Sequence, residues 1–256
     1  MGKRTVPSDD GQPPVAGNKP AWKRCEEFYS GLFREVLQLD LDERLRYLFI
    51  RKVVSRFAQG ARALDLGCGG HSTEILCGIL PHTYALDVAI SKRILRVYEE
   101  NDHLPLVKGS GICLPFRGET FDFLLCSEVL EHVPIDLQPT LLDEIYRVLK
   151  TSGILVLTTP NPYSVSLLLS QFLYEIGIIR RYRSGQPLDN YVSSRWIKRR
   201  IQQRFDILPT GSLYPLPPGA NRLPKNIRLV LETFVSETSD GFSPEFAGPY
   251  QCMVLR

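Results

Sequence analysis

Ten consecutive residues concentrate the chemistry of this chain. Ala63-Leu64-Asp65-Leu66-Gly67-Cys68-Gly69-Gly70-His71-Ser72 reads as an apolar strand running into a glycine turn and then a helix. Glycines at such a turn let the backbone approach a ligand with no Cβ in the way. The helix start behind it offers unpaired N–H groups. Asp87 closes the next apolar run, Tyr84-Ala85-Leu86-Asp87, 20 residues beyond Gly67. A carboxylate there can accept two hydrogen bonds from the vicinal hydroxyls of a ribose. Turn and carboxylate together predict an adenosine-type cofactor lying across the carboxyl edge of a sheet. The dinucleotide pattern G-x-G-x-x-G asks for glycine or alanine where this chain has Ser72. Asp65 is an awkward neighbour for a pyrophosphate. It is a good neighbour for a cation, such as the amino group and sulfonium of S-adenosylmethionine.

The elements that must hold these groups follow from the apolar rhythm. Arg62–Leu66, Thr83–Val88, Leu106–Lys108, Phe121–Cys126 and Ile154–Thr159 read as short strands. Ser72–Leu80, Ser91–Glu99 and Leu137–Lys150 between them have helical spacing. Strand, helix and strand in succession predict an α/β fold with a mainly parallel sheet and helices on both faces. Residues 1–20, rich in proline and poor in large apolar groups, read as a disordered tail. Residues 21–60 read as N-terminal helices, stopped at Gly60. Residues 61–256 form the main domain, with a lid-like segment at about 160–226 that holds a helix over Ser194–Gln203 and the proline-rich loop Tyr214–Pro224. Phe205–Leu208 and Tyr250–Leu255 are further strand candidates.

Four stretches in order resemble the class I S-adenosylmethionine-dependent methyltransferases, of the small-molecule, type 11-like kind. Leu64-Asp65-Leu66-Gly67-Cys68-Gly69-Gly70 is similar to the family's first motif. Gly109-Ser110-Gly111-Ile112-Cys113-Leu114-Pro115-Phe116 resembles its G-D-A-x-x-L-P-F segment. Phe121 through Val133 resembles its fourth strand and following loop, and Leu149 through Asn161 its fifth strand. The resemblance implies a Rossmann-like three-layer sandwich, its seven-stranded sheet ending in an antiparallel strand. It also implies S-adenosyl-L-methionine as cofactor. Gly67, Cys68 and Gly69 would line the methionine part, with Asp65 near its amino group. Asp87 would hold the ribose hydroxyls and Val88 would touch the adenine. Ser110, Gly111 and Ile112 would stand at the adenine edge, where Ser110 replaces a frequent acidic residue and accepts a hydrogen bond more weakly. Ser127 would pass under the methionine end.

Methyl transfer from a sulfonium needs alignment and a dry site, and a general base only when the acceptor must lose a proton. His132, in the loop after a strand, is the candidate base; its structural alternative is packing or bonding to backbone. Tyr163, Tyr191 and Arg195 are the candidate acceptor contacts, all in the segment suited to a lid. That segment is basic: Arg180, Arg181, Arg183, Arg195, Lys198, Arg199, Arg200 and Arg204 face one acid, Asp189. A solvated face explains this; so does an anionic acceptor or peripheral contact with an anionic membrane. The expected reaction is methylation of a small-molecule, lipid or glycan-type acceptor. The rivals are a nicotinamide-dependent oxidoreductase, a cofactor-binding regulatory protein without turnover, and a nucleic-acid methyltransferase. The net charge of +3 gives little support to a nucleic-acid partner.

The six cysteines form no C-x-x-C pair, and the four histidines do not complete a zinc spacing with them. Buried free thiols and no metal are expected. Cys68 reads as a small neutral filler of the turn. No apolar run reaches the length of a membrane span, and Met1-Gly2-Lys3-Arg4 has no apolar segment behind it. A cytoplasmic location, with membrane association as the variant, is the expectation.

Overall fold

Alternating side chains decide how the strands are covered. The computed structural model describes residues 41–57, 60–69, 71–90, 92–101, 104–164, 192–212 and 250–255, with isolated positions between 168 and 177 and at 224 and 227. All belong to one compact unit, Leu39–Arg256, distinct from Met1–Gln38. The elements in order are α1 (Leu41–Phe57), β1 (Arg62–Leu66), α2 (His71–Cys77), β2 (His82–Asp87), α3 (Lys92–Glu100), β3 (Leu106–Lys108), β4 (Phe121–Ser127), α4 (Gln138–Val148), β5 (Leu149–Pro160), α5 (Ser194–Ile201), β6 (Ile207–Ser212) and β7 (Tyr250–Leu255). The tail, the first predicted helix, Gly70, Tyr191 and most of the lid segment lie outside the described residues.

The strands form a seven-stranded sheet in the order β3-β2-β1-β4-β5-β7-β6. β1 pairs in parallel with β2 and β4, β2 with β3, and β4 with β5. The last strand, β7, is antiparallel to both β5 and β6. On one face Leu64, Leu66, Leu124, Cys126, Leu155 and Leu157 pack with Leu141, Ile145 and Val148 of α4 and Ile197 and Ile201 of α5. On the other, Ala63, Phe123, Leu125, Ile154 and Val156 pack with Phe49, Ile50, Val53 and Val54 of α1 and Leu76 of α2. The result is a three-layer sandwich. Its order reverses at β1, whose two neighbours continue in opposite directions, and this opens a crevice at the carboxyl ends of β1 and β4.

Several boundaries move for physical reasons. β5 begins at Leu149, five residues before its predicted start. Leu149 pairs with Phe121 across an irregularity that a local pattern cannot reveal. β6 runs from Ile207, because Phe205 instead turns into the core against Tyr146, with ring centroids 5.5 Å apart. α2 stops at Cys77; the N–H groups of Gly78 and Leu80 close its end on Glu74 and Leu76. Gly60 has φ +71°, as a helix stop requires. The expectation of uniformly buried thiols is corrected. Cys68 and Cys126 are buried, Cys77 is half-buried, and Cys113 is exposed on the loop between β3 and β4.

That loop is anchored by aromatic packing. Phe121, fully buried, meets Phe116 edge-on at 5.0 Å and Tyr84 at 5.5 Å. Phe121→Ala is expected to cost roughly 3–5 kcal/mol of stability by leaving a cavity. The check is the urea midpoint; a loss under about 1 kcal/mol would show that the cluster collapses freely.

Candidate functional site

The glycine turn is built by its neighbours. Gly67 has φ +78°, and a Cβ on it would lie 2.2 Å from Cγ2 of Val129. The N–H groups of Gly67 and Cys68 both donate to the Leu86 carbonyl, at 2.8 and 3.2 Å, and that of Gly69 donates to Gly67 at 2.8 Å. The turn is therefore stitched to the end of β2, and the N–H groups of Gly67, Cys68 and Gly69 are already spent. What it offers a ligand is room, for a Cβ on exposed Gly69 would meet nothing within 4 Å. Cys68 is buried among Ala85, Ile94 and Val97. Burial, then the charges of Asp65 and Asp87, push its thiol far above the ordinary range, so it stays a neutral filler.

Asp65 is 1% exposed. Its Oδ2 accepts from Ser72 Oγ at 2.8 Å and from Thr73 Oγ1 at 2.5 Å. Its Oδ1 is buried and has no hydrogen-bond partner among the described residues. Burial pushes this carboxyl up to about 6; the bonds from Thr73 and Ser72 oppose the rise, and the charge of Asp87 adds to it. A buried carboxyl with one orphaned oxygen is stabilised by taking up either a proton or a cation. Asp87, half-buried at the end of β2, accepts the Ala89 N–H on Oδ1 at 2.9 Å. This turn bond occupies one oxygen of Asp87 only. Val88 beside it is 64% exposed, an apolar surface open to a flat ring.

Ser110 accepts the Cys113 N–H on its carbonyl at 3.2 Å and is half-buried. A Cβ on Gly111 would lie 2.6 Å from Leu141 Cδ1, so this glycine lets the loop close onto α4. Ile112 packs at the edge of the same core. The loop is clamped from α4. Glu144 accepts the Leu114 N–H at 2.7 Å, and Arg147 donates to the carbonyls of Phe116 and Leu114 at 2.8 and 2.9 Å. Arg147 also grips Glu144 and, chiefly through that hydrogen bond, holds its carboxyl below the usual range.

The end of β4 is a network that motif reading missed. Ser127 Oγ and Thr158 Oγ1 lie 2.9 Å apart. Glu128 follows at φ +57°, a left-handed conformation that costs a side-chain-bearing residue about 1–2 kcal/mol. Its N–H donates to the Thr158 carbonyl at 3.0 Å, and its carboxylate takes Thr158 Oγ1 at 3.2 Å and Arg46 Nη1 at 3.2 Å. Arg46 comes from α1 and is 7% exposed. Its neighbour Tyr47 accepts a bond from Arg46 Nη2 at 3.3 Å and stacks at 5.6 Å from His71, at the start of α2. Burial raises the Tyr47 hydroxyl, Arg46 opposes this, and the charges of Glu43 and Asp65 add to the rise. Glu131, buried, accepts from Thr159 Oγ1 at 3.0 Å. His132 is exposed at the end of the single turn Leu130–His132.

Asp65, Gly67, Cys68, Gly69, Asp87, Val88 and Ser127 thus gather at one end of the sheet. The acceptor candidates do not join them in any contact among the described residues. Tyr163 is 64% exposed on a turn, its N–H donating to Asn161 Oδ1 at 3.2 Å. Arg195 is exposed on α5, capped at its N-terminus by the side chain of Ser193, which accepts the Trp196 N–H. Among the described residues no group of histidine, cysteine and carboxylate side chains could hold a metal ion. No helix there is long and apolar enough to cross a membrane.

A family model described as "Methyltransferase domain" matches residues 64–157, from the glycine turn through β4 into β5. Over that segment the chain is similar to the methyltransferase domain. Among similar proteins, "Demethylmenaquinone methyltransferase" of Anoxybacillus flavithermus is 35% identical over 115 residues, covering 41% of this chain and 47% of that protein. The chain spans about half the length of the curated relatives it matches. The crystal structure of a SAM-dependent methyltransferase from Archaeoglobus fulgidus superposes with a TM-score of 0.56 at 19% identity, covering 89% of this chain and 99% of that one. The 1,6-didemethyltoxoflavin-N1-methyltransferase of Burkholderia thailandensis, solved with 1,6-didemethyltoxoflavin and S-adenosylhomocysteine, superposes at 0.56 and 15% identity over 97% of each chain. At those identities the two structures share the fold with this one.

Proposed function

We propose that the protein takes a methyl group from S-adenosylmethionine and passes it to a small-molecule or lipid-like acceptor. The observation that carries this is the buried Asp65 Oδ1, orphaned beside an open glycine turn and one strand away from Asp87. The cofactor supplies an electrophilic methyl on a sulfonium. Asp65 meets the cationic amino-acid end, Asp87 Oδ2 accepts from the ribose, and Val88 and Ile112 flank the adenine. Ser110 is the hydroxyl available at the adenine edge. Ser127, fixed by Thr158, walls the methionine end. For a hydroxyl acceptor His132 is the base candidate; for a nitrogen or carbon acceptor none need be invoked. Tyr163, Tyr191 and Arg195 are the proposed acceptor contacts, and the basic segment favours an anionic acceptor.

A quinone-named relative and a neighbour solved with a heterocyclic substrate support the small-molecule class. The test is mass spectrometry of a cell extract incubated with the protein and a deuterium-methyl donor. Labelled small molecules or lipids are expected; label confined to nucleic acid, or no label above an Asp65→Ala control, would overturn the reading. Asp87→Ala is expected to weaken S-adenosylhomocysteine binding by roughly 1–3 kcal/mol through lost charged hydrogen bonds. Calorimetry that finds an unchanged affinity would remove Asp87 from the ribose.

A further inference from the structure

We infer that Arg46, on the helix before the sheet, is a positioning residue for the amino-acid end of the cofactor, acting through Glu128. The inference rests on the proposed cofactor and concerns a residue outside the matched family segment, which begins at residue 64.

Three observations meet at Glu128. Its left-handed backbone is one that side-chain-bearing residues adopt only when their surroundings hold them there. The holding groups are Thr158, through both backbone and hydroxyl, and Arg46, through an ion pair at 3.2 Å. The kink at Glu128 also sets the direction of Val129, and Val129 occupies the space a Gly67 side chain would need. Arg46 therefore reaches the glycine turn from one side by way of Glu128 and Val129. From the other side its bonded neighbour Tyr47 packs on His71, just past the same turn. α1 thus braces both flanks of the pocket end where Asp65 is buried.

Removing the guanidinium takes an ion-pair partner at 3.2 Å from the Glu128 carboxylate, which is only 18% exposed. A half-buried carboxylate that loses a charged partner is drawn toward solvent or toward protonation. Either response releases the kink and lets Val129 shift over Gly67. The nucleoside half of the site depends on Asp87, Val88 and the loop clamped by α4, whereas Arg46 acts on Glu128 beside the glycine turn. The damage should therefore be selective for the amino-acid end.

The test compares two ligands by calorimetry: S-adenosylhomocysteine, which carries that end, and 5′-methylthioadenosine, which lacks it. For Arg46→Gln we expect at least a tenfold loss of affinity for the first and less than a threefold change for the second. Arg46→Lys, which keeps the charge and replaces the packing stem, should recover most of the loss. Glu128→Gln should show the same selectivity, and the double variant should be no worse than the weaker single one, since both act through one contact. Equal losses for both ligands, or none for either, would overturn the inference. Should Arg46→Gln fail to fold, Glu128→Gln decides it by the same ratio. Failure of the unaltered protein to bind either ligand would instead count against the cofactor, so the two readings fail in different ways.

Discussion

Gly67→Ala is expected to destabilise the protein by roughly 2–5 kcal/mol and to abolish measurable S-adenosylhomocysteine binding. Two terms add. The residue sits at φ +78°, where a Cβ costs about 1–2 kcal/mol. The new methyl would also stand 2.2 Å from Val129 Cγ2, an overlap that must be relieved by moving the loop after β4, at about 1–3 kcal/mol. The second term can be removed separately. Val129→Ala opens the space, so the double variant Gly67→Ala/Val129→Ala should be more stable than the sum of the two single changes predicts. Urea unfolding of all four proteins measures this. A Gly67→Ala protein as stable as the parent would show that the turn adopts another conformation.

The second large effect concerns Asp65 and has opposite signs for stability and for binding. Burial raises its carboxyl from the usual 3.8 to about 6 in the folded protein. Between these values the folded state holds a proton that the unfolded state has lost. Stability of the ligand-free protein therefore falls as pH rises from about 4 to about 6, by roughly 3 kcal/mol from this group, and stays lowered above. Asp65→Asn keeps an oxygen for Ser72 and Thr73 and loses the charge. It should match the parent near pH 4 and exceed it by about 1–3 kcal/mol at pH 7.5. The same variant should bind S-adenosylhomocysteine at least tenfold more weakly at pH 7.5. In the parent, affinity should rise about tenfold per pH unit up to about pH 6 and then level off, because a cationic group binds the ionised carboxylate. A parent–variant stability gap that is the same at pH 4.5 and 7.5 would rule out Asp65 as the titrating group. Free-protein stability and ligand affinity thus move in contrary directions over one pH window, which a generally acid-sensitive fold would not do.

The legible and illegible parts of the site differ in range. Asp65, Gly67, Gly69 and Asp87 were recognisable because each stands at a fixed offset from a strand end, and strand ends are marked by where an apolar run stops. The matched strands β1, β3 and β7 have the bounds that their apolar runs suggest. Glu128 was read as one letter of a motif, yet its partners Arg46 and Thr158 are 82 and 30 residues away. Val129 over Gly67 and Glu144 on Leu114 are likewise far apart in sequence, by 62 and 30 residues. No local pattern tells which cation meets which carboxylate. The same holds for β5, lengthened by pairing with Phe121 across an irregularity. Gly111 has a cause the motif did not suggest, since it admits Leu141 of α4.

From the sequence alone came the alternation of strands and helices, the glycine turn, the two carboxylates and the family to which they point, because these depend on spacing within one or two elements. The tertiary structure decided that the Gly67 and Cys68 N–H groups are spent on Leu86, that one oxygen of Asp65 is orphaned, and that Arg46 of α1 pairs with Glu128. Desolvation and ion pairing depend on what surrounds a group in space. That environment exists only once the sheet has brought the ends of β1, β4 and β5 together.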